Sequence, residues 1–223
     1  MNKSQVRARI EEIGIIPGIR VAKATRARFA AEAVNRAGIP IAEITMTIPG
    51  AVDVIAHLAK SFPDMIVGAG TVLDIETARR CLDAGARFLT STGLVPQVVE
   101  FALKSEVVVF PGAMTPTDVI AAWQMGVDFV KIFPCGPMGG PKYIRTLRFP
   151  FPQIPLIATG GVNQQTAGDF ILAGATALGI GSELINPEAL PLMKEEQIQE
   201  LARRYLKAVS NARAQMREDN GNV

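Results

Sequence analysis

Hydrophobic and polar positions along the chain fall into blocks with two different periods. Short, near-continuous runs of β-branched and aliphatic residues predict buried strands, and apolar residues at helical spacing predict helices between them. A turn rich in glycine, proline, serine or threonine follows these runs. The pattern occurs eight times, and the predicted strands are Ile13–Ile19, Ile41–Thr45, Met65–Gly68, Phe88–Ser91, Val107–Pro111, Phe129–Phe133, Leu156–Thr159 and Ala177–Ile180.

The segments between these strands predict helices, several of which end at a glycine, as is typical where the chain needs a left-handed residue. A weaker helix is predicted after Pro141. The stronger predicted helices are Arg26–Ala37, Val52–Ser61, Ile75–Ala84, Val95–Lys104, Pro116–Met125 and Gln164–Ala173.

This alternation of apolar strands and helices is typical of a parallel sheet that is buried on both faces. Eight strand–helix units of roughly 20–28 residues each predict an α/β fold, a (β/α)8 TIM barrel near the lower end of its usual size. A doubly wound open sheet is the alternative. Because no linker-like stretch divides the chain, we expect residues 1–223 to form a single domain.

Both ends of the chain carry a prediction of their own. Residues 1–12 predict an N-terminal helix, in which Val6 and Ile10 would cover the floor of the barrel. The last ten residues, 214–223, predict a frayed tail. Before this tail, a final helix is indicated by apolar residues at helical spacing: Ile198, Leu201, Ala202, Tyr205 and Val209.

Composition and charge exclude several classes of partner. Hydrophobic residues make up 48% of the chain and charged residues 20%, and the net charge is +2 without a basic block. We therefore expect no nucleic-acid groove and no membrane surface, and no apolar run approaches the ~20 residues of a membrane helix. Cys81 and Cys135 match no metal spacing. Two free thiols without a secretory segment predict a reducing, cytoplasmic location.

Polar side chains stand at the carboxyl ends of the predicted strands. In a TIM barrel these ends and the loops after them form the active site. Side chains alternate in direction along a strand, so Glu43 shares one face with Thr45 and Thr47, and Lys131 shares another with Phe129 and Phe133. The polar residues at these ends are Arg20, Glu43, Thr45, Thr47, Thr71, Ser91, Lys131, Thr159 and Ser182.

Lys131 is an ammonium group within an otherwise apolar strand. Loss of hydration disfavours its charged form, and a neutral amine can attack a ketone to form an iminium, which stabilises a neighbouring carbanion. If both strand faces point inward, Glu43 faces Lys131 across the barrel mouth and could transfer the protons that this chemistry requires. The alternative is a buried ion pair that only fixes the barrel interior.

Glycines follow the last two strands, in "ATGGVN" and "GIGSELI". Glycine lets backbone N–H groups approach an anion closely, and many barrels bind phosphate in these two loops. Gly160, Gly161 and Ser182 would form the cradle, although both segments could also be ordinary glycine turns. The segment "GAGTVLD" has Leu73 where a dinucleotide fingerprint has its third glycine, so we expect no NAD site.

Five segments in order along the chain resemble the 2-keto-3-deoxy-6-phosphogluconate (KDPG) aldolase family, which includes relatives that act on 4-hydroxy-2-oxoglutarate (KHG) and on 6-phosphogalactonate derivatives. The similarity covers about residues 13 to 185. The segments are "EITMTIPGA" at Glu43–Ala51, "VGAGTV" at Val67–Val72, "PGAMTPTD" at Pro111–Asp118, "FVKIFP" at Phe129–Pro134 and "ATGGV" at Ala158–Val162.

The resemblance implies a class I aldolase without a metal or organic cofactor. Such an enzyme cleaves a 2-keto-3-deoxy sugar acid phosphate, here KDPG, to pyruvate and glyceraldehyde 3-phosphate, and family members are usually homotrimers. By position, Lys131 resembles the Schiff-base lysine, Glu43 the general acid/base and Thr71 the pyruvate-binding threonine. Phe133 resembles an aromatic residue beside the imine and Thr159 another site residue, while Gly160, Gly161 and Ser182 resemble the phosphate end.

The sequence departs from the family pattern in two places. Thr47 stands where some members have an arginine that holds the carboxylate, and Arg20 resembles the substitute that other members use. A guanidinium holds a carboxylate through two hydrogen bonds, although Arg20 could equally serve the phosphate. Thr92 follows Ser91 where members often have proline, which leaves the preferred sugar acid open between gluconate, galactonate and hydroxyglutarate derivatives.

Two other classes of function are alternatives to the aldolase. One is a phosphate-binding barrel enzyme, an isomerase or decarboxylase, that works without an imine, and the other is a non-catalytic barrel that binds a sugar phosphate. His57 is predicted to lie on a helix outside the barrel, away from the chemistry. Cys135 follows the Lys131 strand closely, so we expect its thiol to react with alkylating agents without a catalytic role.

Overall fold

Parallel strands, flanked by helices, form the centre of the molecule. The structure is a computed structural model that describes residues 1–190 and 192–221. Its strands are β1 (Ile15–Ile19), β2 (Ile41–Thr45), β3 (Ile66–Gly70), β4 (Phe88–Thr90), β5 (Val108–Phe110), β6 (Gly112–Ala113), β7 (Val130–Ile132), β8 (Leu156–Thr159) and β9 (Ala177–Ile180).

The helices alternate with these strands in the chain. Their bounds are α1 (Lys3–Ile13), α2 (Ala24–Arg36), α3 (Ala51–Ser61), α4 (Ile75–Asp83), α5 (Pro96–Lys104), α6 (Pro116–Gln124), α7 (Pro141–Arg148), α8 (Ala167–Leu172) and α9 (Glu195–Gly221).

The order of the strands makes the sheet a nearly closed barrel. The order is β5-β4-β3-β2-β1-β9-β8-β7-β6, so the two segments at its ends are neighbours in sequence, separated only by Pro111. The main-chain N–H of Lys131 donates to the carbonyl of Pro111 at 3.0 Å, and that of Asp128 donates to the carbonyl of Val109 at 3.1 Å. We therefore treat β5 and β6 as one barrel strand interrupted at Pro111, which confirms the (β/α)8 TIM barrel over the open sheet.

Helix α1 lies at the amino-terminal end of the barrel strands. Its buried residues are Val6 and Ile10, and its Lys3 amine lies 3.1 Å from the carboxylate of Asp128, which also accepts a hydrogen bond from the N–H of Val109 at 3.0 Å. The helix ends at Gly14, whose φ of 70° is left-handed, so strand β1 begins at Ile15 and not at Ile13 as predicted.

The last helix is longer than the sequence pattern indicated. We predicted a frayed tail over 214–223, but α9 continues through Gly221. The helix is retained past residue 213 because Ala212 is buried and Met216 packs against the hydrophobic core. Residues 222 and 223 of the predicted tail lie outside the described part of the chain.

Candidate active site

Lys131 and Glu43 lie opposite each other inside the barrel. Lys131 is the central residue of β7 and Glu43 the central residue of β2. Lys131 Nζ lies 3.6 Å from Glu43 Oε2, and the two side chains are only 5% and 7% exposed. The apolar residues that flank Lys131 in β7 keep water from the amine, and the carboxylate of Glu43 is the charged group in contact with it.

Glycine in strand β3 makes room for the glutamate. Gly70 pairs with Thr45 in the β2–β3 register, beside Glu43. A Cβ atom at Gly70 would lie 2.0 Å from Glu43 Oε1, far inside contact distance. A side chain at this strand position would therefore displace the carboxylate, so Gly70 is part of what positions it.

A cavity of about 250 Å³ opens above this pair at the carboxyl ends of the strands. Eight of the ten predicted site residues line it: Arg20, Glu43, Lys131, Phe133, Thr159, Gly160, Gly161 and Ser182. It also includes residues that we did not place in the site, namely Gly18, Thr45, Thr92, Val162, Gly179, Gly181, Glu183, Ile185 and Pro187.

The other two predicted residues, Thr47 and Thr71, lie beside the cavity at the ends of β2 and β3. Thr71 has a left-handed φ of 59°, unusual for a residue other than glycine, and its Oγ1 accepts a hydrogen bond of 3.4 Å from the guanidinium of Arg20. The Oγ1 atoms of Thr47 and Thr45 lie 3.0 Å apart, and Thr45 also donates to the carbonyl of Ile19 at 3.0 Å. The hydroxyl of Thr47 is therefore hydrogen-bonded to Thr45 at the end of β2, and Thr47 is not among the residues that line the cavity.

Two side chains at the ends of β7 and β8 complete the centre of the cavity. The ring centroid of Phe133 lies 5.8 Å from Lys131 Nζ. Thr159 Oγ1 is buried and has no hydrogen-bond partner in the described part of the protein. A Cβ atom at Gly179 would lie 2.3 Å from this hydroxyl, so the glycine provides its space. A buried hydroxyl without a partner is costly unless a bound molecule satisfies it.

Glycine backbone forms the opposite end of the cavity. Gly160 and Gly161 have left-handed φ values of 82° and 89°, and a Cβ atom at Gly161 would lie 2.6 Å from Gly136 Cα. After β9, the N–H groups of Leu184 and Ile185 both donate to the carbonyl of Gly181, which makes a helical turn. Such a turn leaves its first N–H groups free, and those of Ser182 and Glu183 have no partner among the described residues.

Cys135 is not the reactive thiol that we expected, which corrects that prediction. The side chain is fully buried, and its Sγ donates to the carbonyl of Gly160 at 3.1 Å. Burial raises the pKa of this thiol to about 12. Cys135 therefore stabilises the loop after β8 through its hydrogen bond to Gly160. Its thiol is protonated at neutral pH, so no thiolate is available to react with an alkylating agent.

Among the cavity residues that sequence analysis did not place in the site, Thr45, Thr92 and Glu183 carry polar side chains. Glu183 directly follows Ser182 in the loop that we assigned to the phosphate, so its position was available from the sequence. Thr92 stands where family members often have proline, and its sequence context carries no other signal of a site residue. His57 lies on α3 outside the barrel, with a side chain that is 37% exposed, 3.8 Å from Glu32.

Within residues 1–190 and 192–221, no group of three or more His, Cys, Asp or Glu residues is arranged to hold a metal ion. The helices described for these ranges include none that is long and apolar enough to span a membrane.

Comparison with protein families and curated proteins gives one consistent result. Residues 6–203 match the aldolase family of KDPG and KHG aldolases. A curated relative from Escherichia coli strain K12, named "KHG/KDPG aldolase", is 31% identical over 189 residues, which is 85% of this chain and 89% of that protein.

Solved structures agree with this match. A KDPG aldolase from Legionella pneumophila, with pyruvate captured as a covalent carbinolamine intermediate, is 29% identical with a TM-score of 0.81 and covers 88% of this chain and 96% of that one. A cube-shaped protein cage designed by fusing symmetric oligomeric domains is 26% identical with a TM-score of 0.86, and covers 95% of this chain and 77% of that one.

Proposed function

The chain belongs to the KDPG and KHG aldolase family, and from this premise we propose which bond it breaks and which residues do so. The protein is a lyase, a class I pyruvate aldolase that cleaves KDPG to pyruvate and glyceraldehyde 3-phosphate. The observation that supports its site residues best is the buried contact of 3.6 Å between Lys131 Nζ and Glu43 Oε2 below the cavity.

Lys131 is the nucleophile of this proposal. Its neutral amine attacks the C2 ketone of the substrate, and the carbinolamine so formed loses water to give an iminium bonded to Nζ. Within the cavity lining it is the only lysine. Phe133, with its ring 5.8 Å from Nζ, covers the side of the imine and excludes water from it.

Glu43 transfers the protons. It removes the proton of the C4 hydroxyl, the C3–C4 bond breaks, and the bonding electrons move through C3 toward the iminium nitrogen, which leaves an enamine and the free aldehyde. The carboxylic acid then returns a proton to C3, and water hydrolyses the pyruvate imine. Because the carboxylate is 7% exposed and already touches Nζ, one group serves all of these steps.

Reductive trapping tests this assignment. Sodium borohydride in the presence of pyruvate should inactivate the protein and add one reduced pyruvate unit, which peptide mass spectrometry should locate on Lys131. An adduct on another lysine would refute the role of Lys131. Full activity and unchanged mass would instead indicate a barrel enzyme that works without an imine.

Arg20 holds the carboxylate of the keto acid in this proposal, and Thr71 assists it. The support comes from their hydrogen bond of 3.4 Å, which directs the guanidinium across the end of β2 toward β3 and away from β8 and β9. Thr47, bonded to Thr45, supports this end without reaching the cavity.

The phosphate occupies the end formed by Gly160, Gly161 and Ser182. Support for this comes from the free N–H groups of the turn after β9 and from the two left-handed glycines, both of which suit an anion. The hydroxyl of Thr159, which lies between the two ends, binds a substrate hydroxyl or the keto oxygen. A metal ion or organic cofactor has no part in these steps.

A second substrate class is supported by the relative named for both KHG and KDPG. Cleavage of 4-hydroxy-2-oxoglutarate or of 2-keto-3-deoxy-6-phosphogalactonate would use the same imine. Comparing kcat/KM for these two compounds with that for KDPG, through pyruvate release coupled to lactate dehydrogenase, identifies the preferred substrate. We expect KDPG to be preferred, and a higher value for either alternative would change the assignment.

We also propose that residues 1–223 act as one barrel domain and that three copies form a homotrimer. One hydrophobic cluster joins Val6 in α1 to Ala212 in α9, which supports the single domain. Exposed apolar side chains on the part of the barrel from the loop after β3 to the loop after β7 support an interface between copies; they are Leu73, Ile75, Met114, Ile120 and Met138. Sedimentation equilibrium should give three times the mass of the chain, and a monomer would refute the trimer.

The location proposed for the protein is the cytoplasm. The support is that Cys81 and Cys135 are both free and buried, as in proteins of reducing compartments. Fractionation of cells that express the tagged full chain should recover it with cytoplasmic markers, and recovery with secreted proteins would contradict this.

A further inference from the structure

Glu183 is an acidic residue that lines the end of the cavity where the phosphate is expected to bind. It lies in the turn after β9, next to Ser182, and both residues are exposed and line the cavity. The backbone N–H of Glu183 is one of the free donors of this turn. The same residue therefore offers a hydrogen-bond donor to a bound anion and a negative charge that repels it.

The charge of Glu183 is not balanced by an ion pair within the described part of the protein. The ion pairs found among the described residues do not include Glu183. Of the two cations that line the cavity, Lys131 is paired with Glu43 and Arg20 is bonded to Thr71. The hydroxyl of Tyr205, which donates to the Glu183 carbonyl at 3.5 Å, is neutral because burial and the charge of Glu183 raise its pKa to about 12.

We propose that Glu183 is a specificity-determining residue that weakens the binding of substrates in proportion to the negative charge of their distal group. This inference rests on the proposed function for the identity of the reaction. It deepens that function, because it predicts how the site ranks a phosphate dianion, a carboxylate and a neutral hydroxyl at the same position.

The experiment compares three substrates that differ in distal charge, in wild type and Glu183→Gln. KDPG carries a phosphate that is mostly dianionic at pH 8, 4-hydroxy-2-oxoglutarate carries a carboxylate, and 2-keto-3-deoxygluconate carries a neutral hydroxyl. We expect the variant to raise kcat/KM for KDPG by about three- to tenfold relative to the neutral substrate, mainly through KM. The gain for the carboxylate substrate should be about the square root of that factor, because it carries half the charge.

Glu188→Gln is the matched control, because Glu188 is exposed in the same β9–α9 connection, does not line the cavity and changes the net charge equally. It should leave the ranking of the three substrates as in wild type. Added salt should narrow the difference between wild type and Glu183→Gln, since screening weakens a repulsion between partly exposed charges. An equal effect of Glu183→Gln on all three substrates, a loss of activity toward KDPG alone, or the same gain in Glu188→Gln would overturn the proposal.

A binding measurement separates this inference from the proposed reaction. Glycerol 3-phosphate, titrated by calorimetry into wild type and Glu183→Gln, should bind the variant more tightly by the same three- to tenfold factor, whether or not the protein cleaves KDPG. If borohydride trapping fails but this shift is found, the proposed reaction is wrong and the role of Glu183 holds. If trapping succeeds and the dissociation constant does not change, the role of Glu183 is wrong.

Discussion

The chemistry of this barrel depends on single residues that the sequence places at strand ends and the fold brings into contact. Lys131 and Glu43 are 88 positions apart in the chain, but Lys131 Nζ and Glu43 Oε2 lie 3.6 Å apart in the structure. Their pairing was predictable because each is a charged residue in an apolar strand of a barrel whose strand ends converge.

Lys131→Met should abolish cleavage of KDPG and reductive trapping by pyruvate while the fold is retained. Methionine has a similar length and no amine, and its burial costs no desolvation of a charge. Glu43 is then left as a buried carboxylate without its cation, so we expect the free energy of unfolding to fall by about 3–5 kcal/mol. Cleavage rates, trapping and urea unfolding measure these effects, and turnover above background would contradict the role of Lys131.

Gly70→Ala should lower cleavage by at least about tenfold, because even a modest displacement of a catalytic group from its reacting geometry is costly. The new Cβ atom would lie 2.0 Å from Glu43 Oε1, so the carboxylate must leave its present position beside Lys131. The exchange of pyruvate methyl protons with D2O, followed by NMR, should slow in parallel, since it depends on the same carboxylate.

Gly93→Ala is the control for this prediction. A Cβ atom at Gly93 meets nothing within 4 Å, and this glycine also follows a barrel strand. Its exchange and cleavage rates should remain close to those of wild type. A fully active Gly70→Ala variant would contradict the role of Gly70 in positioning the Glu43 carboxylate.

Some residue-level features of the site could not be predicted from the sequence. Thr47 and Thr45 share a strand face by alternation, but only the structure shows that Thr47 is bonded to Thr45 and does not reach the cavity. The left-handed φ of Thr71 is set by tertiary contacts that override the local preference of threonine. Cys135 was predicted near the mouth by its position after β7, but its burial depends on the loop after β8.

At the scale of elements, the accuracy of prediction follows the continuity of the apolar pattern. Strands β2, β8 and β9 have the predicted bounds because turn residues bracket each apolar run closely. The pattern is less informative where it is interrupted. The fifth predicted strand ends at Pro111, but the structure resumes it as β6 because Gly112 and Ala113 pair with β7.

Helix α9 shows where local sequence signals are insufficient. Polar residues after 213 predicted fraying, but Arg213 fixes the helix through the carbonyls of Glu11, Glu12 and Thr176. These partners lie 37 to 202 positions away in sequence, so a local pattern could not reveal them. Gly14 lies directly beneath the guanidinium, since a Cβ atom there would lie 2.4 Å from Arg213 Nη2.

Arg213→Ala should lower the free energy of unfolding by about 2–4 kcal/mol, because three carbonyls that accept hydrogen bonds from one cation lose their donor. Urea unfolding followed by circular dichroism measures the change. Lys207→Ala, which removes an exposed cation from the same helix, serves as the control and should change stability by less than about 0.5 kcal/mol. If the two substitutions lower stability equally, the loss of one positive charge explains both, and the three hydrogen bonds of Arg213 do not contribute as proposed.

At the scale of the whole molecule, buried acidic groups make stability depend on alkaline pH. Burial raises the pKa of Cys81 to about 11 and that of Cys135 to about 12, and burial with the charge of Glu183 raises that of Tyr205 to about 12. An unfolded cysteine has a pKa of about 8.5. Above this pH the unfolded chain releases protons that the folded chain still holds, so deprotonation stabilises the unfolded state.

The folded protein should therefore keep its full stability below about pH 8.5 and lose it as pH rises from there toward 11, by about 1.4 kcal/mol per pH unit for each thiol. Urea unfolding between pH 7.5 and 10.5 measures this slope. In the double variant Cys81→Ala, Cys135→Ala the slope should become markedly shallower. The stability that the two truncations remove at neutral pH does not affect this comparison, because it is the same at every pH. Because both thiols are buried, iodoacetamide should label the wild type only as fast as the protein unfolds. Rapid labelling of the folded protein, together with the same slope in wild type and double variant, would contradict the burial on which this prediction depends.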